Sequence, residues 1–148
     1  VLLFSTGFKA SILGSKSFSS IFAGGEIRIF GGGRPGSAND AEPSAPIGVI
    51  TRLSASGSGL QFAQANDYVI KPPSDQWVLT TLLAAKPTWW RLVAIGDAFG
   101  ASFTAPRIDG DIGLNGSLND MTMAGAVLSA GVELPIDTFL FTFPPLGN

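Results

Sequence analysis

Eleven carboxylates and nine basic side chains carry the ionisable chemistry of this chain, which has neither histidine nor cysteine. That absence removes imidazole bases, thiol nucleophiles, disulfides and the usual ligands of zinc, copper and haem. Asp109 and Asp111 flank Gly110, and Asn115, Ser117 and Asp120 follow. Alternating oxygens of this kind can hold a hard cation such as calcium. An EF-hand loop begun at Asp109 would need a glycine and a glutamate where this chain has Leu114 and Asp120, so turn chemistry suits the spacing better. Asp97, Asp109, Asp111, Asp120 and Asp137 could supply an acid–base pair for glycoside hydrolysis. Nothing in their spacing sets two of them face to face, and no G-x-S-x-G elbow is present to suggest a nucleophilic serine. Gly31 to Gly36 (GGGRPG) has the look of a phosphate cradle, but no lysine and no helix pattern follow it. The expectation is a non-enzymatic chain with no catalytic residues, no metal and no cofactor.

Trp89, Trp90 and Arg91 form the other conspicuous cluster. Neighbours on a strand point to opposite faces. Trp90 shares parity with Leu92 and Ala94 and is assigned to the core. Trp89 shares parity with Arg91 and is assigned to the outer face. An outward Trp beside an Arg fits an interaction hot spot, a sugar-stacking platform, or a Trp covered by a local loop.

The elements that must position these residues are mostly strands. Ser5 or Thr6 caps a short helix carrying Phe8, Ile12 and Leu13, with Gly14 as its left-handed stop. Ser15 or Ser17 opens a second helix with Phe18, Ile21 and Phe22, ending at Gly24 and Gly25. Both are too short to stand alone and must pack on this chain's sheet or on a neighbour. From Glu26 onward the pattern alternates. Ile27 and Ile29 share one face, and a Gly/Pro-rich loop runs from Gly31 to Pro46. Ile47 to Leu53 forms a strand, Ser54 to Gly59 a turn, and short strands lie near Leu60 to Ala63 and Tyr68 to Ile70. Trp77 to Leu83 and Thr88 to Ile95 are joined at Ala84 to Pro87 in what reads as a hairpin. Arg107 to Ile112 and Leu118 to Ala124 flank a turn at Gly113 to Ser117, a second hairpin by the same reading. Val132 to Phe143 reads as one closing strand, with Phe139, Phe141 and Phe143 on one parity. The expected fold is all-β: an antiparallel β-sandwich or jelly roll of about eight strands. A helical N-terminal arm over residues 1–25 would precede a sandwich over 26–148, in one domain.

Composition narrows the function classes. Only 14% of residues are charged, against about 25% in typical soluble domains, while mean hydropathy is +0.34. So little charge fits either a compact β-domain or a subunit buried against partners in an assembly. The basic residues are scattered, which disfavours nucleic-acid binding. No apolar run reaches the ~20 residues of a membrane span, and Val1 to Phe4 is too short for a signal peptide.

Four stretches carry a resemblance when taken in order: Gly25 to Phe30 (GEIRIF) with its following loop, Trp90 to Leu92 (WRL), Ala105 to Gly110 (APRIDG) with Gly113, and Ile136 to Phe143 (IDTFLFTF). From about Ser5 to Phe143 the chain resembles small virion structural proteins of tailed bacteriophages. The resemblance implies a virion component, best fitted by a capsid cement or decoration protein. Such a protein would act on the capsid exterior after assembly in the host cytoplasm. Its partners would be the major capsid protein and further copies of itself, as a homodimer or homotrimer, without direct contact to nucleic acid or membrane. The interface candidates are Phe4, Phe8 and Ile12 on the N-terminal arm, Arg34, Pro35 and Pro43 on the long loop, and Trp89 with Arg91. Other virion parts (tail tube, head completion, neck) and a carbohydrate-binding module of a host-recognition apparatus are the alternatives.

Overall fold

The computed structural model describes all residues except 54–58, 115–119, 124–127, 137 and 144–148, and leaves the side chains of 114, 122 and 123 undescribed. The described part is mostly β, as expected. It opens with β1 (Leu3–Phe4), α1 (Thr6–Leu13) and α2 (Phe18–Phe22), followed by β2 (Glu26–Phe30) and β3 (Gly48–Leu53). Next come β4 (Ala63–Ala65), β5 (Tyr68–Ile70), β6 (Gln76–Thr81), β7 (Trp89–Val93) and β8 (Arg107–Leu114). The chain continues through β9 (Met121–Met123), β10 (Glu133–Ile136) and β11 (Leu140–Phe141). The count of about eight strands was too low because several of these are only two or three residues long.

The large sheet runs β1-β8-β7-β2-β3-β6-β10 with every pairing antiparallel, and β9 joins β8 in parallel. A second sheet runs β11-β5-β4. The spatial order β7-β2-β3-β6 is that of a Greek key, in which the fourth strand returns to lie beside the first. Three expectations are thereby corrected. The connection through Ala84 to Pro87 is not a hairpin, because β2 and β3 lie between β6 and β7. β8 and β9 pair in parallel, Ile112 opposite Met121, so they are not a hairpin either. The run from Val132 to Phe143 is divided, β10 closing the large sheet and β11 joining the small one. The expected turn residues 54–58 and 115–117, and Asp137, lie outside the described residues.

Alternation along the strands divides the large sheet into two faces. Ile27 pairs with Ile50 and Leu92, and Ile29 with Trp90. This face holds the apolar core, where Trp77, Leu79 and Ile108 join them and Phe8, Phe18, Ile21 and Phe22 pack from the helices. Phe62, Phe139 and Phe141 come from on or beside the small sheet, Phe62 and Phe139 meeting Trp77 at ring-centroid distances of 5.4 and 5.1 Å. The helices thus pack on this chain's own sheet. Ser5 fixes where α1 starts: its Oγ accepts from the Phe8 and Arg107 amides and donates to the Ala105 carbonyl. Gly14 stops α1 with a negative φ of −80°, not the left-handed one expected, whereas Gly24 after α2 does take φ +78°.

Gly110 lies opposite Trp90 in the β7–β8 register. A Cβ there would run into the Trp90 indole, so the last residue of the APRIDG stretch is small to let the ring lie flat across β8. Gly110→Ala is expected to cost about 1–3 kcal/mol, the usual cost of overpacking. An unchanged urea midpoint would contradict this packing.

Candidate functional site

The second face of the large sheet carries the scarce charges. Arg28 on β2 lies opposite Arg91 on β7, which lies opposite Asp109 on β8, and Arg107 begins β8. Three arginines on neighbouring strands would repel unless each met a carboxylate. Arg91 grips Asp109 with two parallel bonds, Nε to Oδ1 at 2.7 Å and Nη2 to Oδ2 at 2.8 Å. Arg107 grips Asp97 in the same way at 2.8 and 2.9 Å. Arg28 donates to Glu26 at 2.8 Å, to Glu42 at 2.6 Å and to the Asp97 carbonyl at 2.9 Å. The side chains of Arg28, Arg91, Arg107, Glu42, Asp97 and Asp109 are each at most 5% exposed. Buried charges persist in a fold when they are paired and hydrogen-bonded, and the guanidinium forks meet both oxygens of Asp109 and of Asp97.

The network straps two connections onto the sheet. From the β2–β3 connection come Glu42 and the Asp40 carbonyl, which accepts from both Arg91 and Arg107. From the β7–β8 connection come Asp97 and the carbonyls of Ala98 and Gly100, which accept from Arg107 at 3.0 and 2.7 Å. Phe99 lies over the Arg28 guanidinium at 4.4 Å, a cation–π contact that covers the network from outside.

Burial pushes the Glu42 carboxyl above the ordinary carboxylate range, although the Arg28 guanidinium pulls it down. Its Oε2 is buried without a hydrogen-bond partner, which is why burial outweighs the single close bond. Arg91 also pulls the carboxyl down and Asp97 pushes it up. A proton that binds more tightly in the fold stabilises the fold at acid pH, and this contribution is lost as pH rises through the raised value. Glu42→Gln removes that dependence. The stability of the wild type relative to this variant is therefore expected to fall as pH rises above the ordinary glutamate range, as read from urea midpoints. A difference that does not change with pH would mean that burial does not dominate.

The expected interface residues are scattered by this arrangement. Trp89 lies on the face away from Trp90, as assigned, but it is 0% exposed and stacks on Phe30 at 4.2 Å, so it is corrected from outward contact residue to buried. Arg91 is buried with it, in the pair described. Phe8 is buried in the core, and Phe4 and Ile12 are partly buried against it. Arg34 is one-fifth exposed and pairs with Asp111 at 3.2 Å. Pro35 is half-buried and Pro43 exposed. Trp90 is in the core, as assigned. Gly31 to Gly36 leads into an irregular connection with no helix behind it. Asp109 is committed to Arg91, and no group of three potential metal ligands stands together among the described residues.

No family model, curated protein or solved structure matches the chain. The geometry therefore stands on its own, and it is that of a holding device. Every arginine of the network is engaged and none opens to solvent. A cleft of about 410 Å³ lies elsewhere, beside the β6–β10 pair, lined by Lys71, Asp75, Trp77 and Glu133 among others. The Lys71 ammonium there is bonded to the Asp75 carbonyl at 2.9 Å.

Proposed function

We propose that this chain is a non-enzymatic virion structural protein that binds a phage capsid shell and stabilises it as cement. The observation that carries the reading is where the family-like stretches fall. GEIRIF forms β2, WRL lies in β7 and APRIDG enters β8, three adjacent strands that share the arginine network. Three of the four stretches thus lie side by side, while the fourth, from Ile136 to Phe143, is divided between β10 and β11. A sheet packed on one face and strapped on the other suits a part that must keep its shape under load. Low charge and exposed apolar loop residues suit permanent contact with neighbours. The fold is read further as a sandwich of jelly-roll type, for which the Greek-key order and the shared aromatic cluster between the sheets speak. Cement would work by burying additional surface between capsomers, which favours the assembled state by mass action.

The test is copy number. Quantitative mass spectrometry of purified particles of the encoding phage is expected to give a count equal to the major capsid protein or a simple fraction of it. A handful of copies would move the chain to the neck or tail, and absence from the particle would refute the virion reading.

A further inference from the structure

The arginine network covers the second face of the large sheet over β2, β7 and β8. The same face continues across β3, β6 and β10, since Arg28 is in register with Val49, Val49 with Thr80 and Thr80 with Glu133. Here it carries the cleft of about 410 Å³. Leu53 opposite Gln76, and Val78 opposite Pro135, belong to this side of the strands, and the β5–β6 connection adds Lys71 and Asp75. Backbone bonds hold that connection: the Asp75 amide donates to the Pro72 carbonyl at 3.0 Å, and the Lys71 ammonium to the Asp75 carbonyl at 2.9 Å. Small-molecule sites are concavities of about 300–1,000 Å³, with apolar walls and a few convergent polar groups.

Three of the nine residues lining the cleft are charged, Lys71, Asp75 and Glu133, in a chain where only 14% of residues are. In the arginine network each charge meets an opposite one. Among the described residues no ion pair joins these three to one another or to any other group. The Lys71 ammonium uses one of its three donors on the Asp75 carbonyl. The Asp75 carboxylate is not satisfied within the chain, since its Oδ2 is buried and meets no donor. Gln76 and Glu133 are exposed, and the Gln76 amide offers a donor and an acceptor. The cleft thus gathers hydrogen-bonding groups of both kinds that the fold itself does not employ.

We propose that this cleft binds a neutral saccharide. A bare cation would face the Lys71 ammonium, and a simple anion would face the carboxylates of Asp75 and Glu133. An apolar ligand would take water from all three charges and return no hydrogen bond. A zwitterion of the amino-acid type meets one charge of each sign and leaves the second carboxylate without a donor. A sugar hydroxyl donates and accepts at once, so neighbouring hydroxyls on one ring can bond an ammonium, a carboxylate and an amide together. Bonds to charged partners are the stronger kind. The C–H surface of the ring would lie on Leu53, Val78 and Pro135, the apolar part of the same wall. The proposal concerns this cleft alone and does not depend on the virion reading.

The full chain, laid on an array of neutral, acidic and amine-bearing glycans, is expected to be retained by neutral ones. Nuclear magnetic resonance titration of the isotope-labelled chain with the best-retained glycan should shift the amides of Leu53, Gln76, Val78 and Glu133 and leave those of β7 and β8 in place. Lys71→Met and Glu133→Ala are each expected to weaken binding about tenfold, the loss of one bond to a charged group. Glu133 is exposed, so its variant tests the site even if Lys71→Met disturbs the β5–β6 connection, which circular dichroism and the thermal midpoint would reveal. Lys16→Gln, on the exposed α1–α2 link, should bind as the wild type does. An array on which no neutral glycan retains the chain would overturn the proposal. So would retention by acidic or amine-bearing glycans alone, shifts confined to other surfaces, or an affinity indifferent to both Lys71→Met and Glu133→Ala.

Discussion

Arg91→Met is expected to destabilise the protein by about 3–5 kcal/mol, the usual cost of leaving one partner of a buried ion pair alone. The stranded group would be Asp109, which is fully buried and whose two oxygens both accept from Arg91. Asp109→Asn should cost a similar amount from the other side, since it leaves the guanidinium charged with only the Asp40 carbonyl and an amide to meet it. The double variant Arg91→Met with Asp109→Leu should recover much of the loss. It removes both charges, and apolar pairs of similar volume often replace buried ion pairs at little cost or with a gain. Urea unfolding of the wild type, the single variants Arg91→Met and Asp109→Leu, and their double variant completes the cycle. If the double variant were as unstable as the sum of the singles, the pair would not be acting as a unit.

Arg107→Lys is the second large effect, and it is informative because the charge is kept. The Arg107 fork reaches both Asp97 oxygens and the carbonyls of Asp40, Ala98 and Gly100. A lysine ammonium has three donors on a single nitrogen and cannot span these positions. The expected loss is about 2–4 kcal/mol from the bonds that go unmade. The amides of Phe99 to Ala105 should exchange with deuterated solvent faster than in the wild type, while those of β3 and β6 stay protected. Uniform acceleration would mean that Arg107 supports the sheet as a whole instead of the loop above it.

The alternation of residues made the sheet faces legible, but not what covers them. Trp89 and Arg91 were rightly placed opposite Trp90. Of the readings open to Trp89, only a covered side chain agrees with its full burial. A signal is present: in a chain with so few charges, Arg28, Arg91, Arg107 and Asp109 each alternate with core-facing apolar residues, Ile27 and Ile29, Trp90 and Leu92, and Ile108. That distribution marks buried ion pairs, because charges meant for water would gather in the loops. The β2–β3 connection and its glutamate could not be matched to Arg28 from spacing, since the match depends on where a loop folds back. Strand order was illegible for the same reason. A short link at Ala84 to Pro87 is as compatible with a Greek-key return as with a hairpin, and only non-local pairing of β2 with β7 distinguishes them. The helices were read closely because capping is a local matter settled within three or four residues.

The bond from the Arg107 amide to the Ser5 hydroxyl spans 102 residues of chain, and β2 is flanked on one side by β7, which comes after β3 to β6 in the chain. During synthesis, therefore, the phenylalanines of α1 and α2 leave the ribosome well before the strands that cover them. Folding of such non-local topology is slow, and the waiting segment is the part that would stick to other nascent chains. Lower temperature during production, which weakens the apolar attraction between waiting segments, is expected to raise the soluble yield.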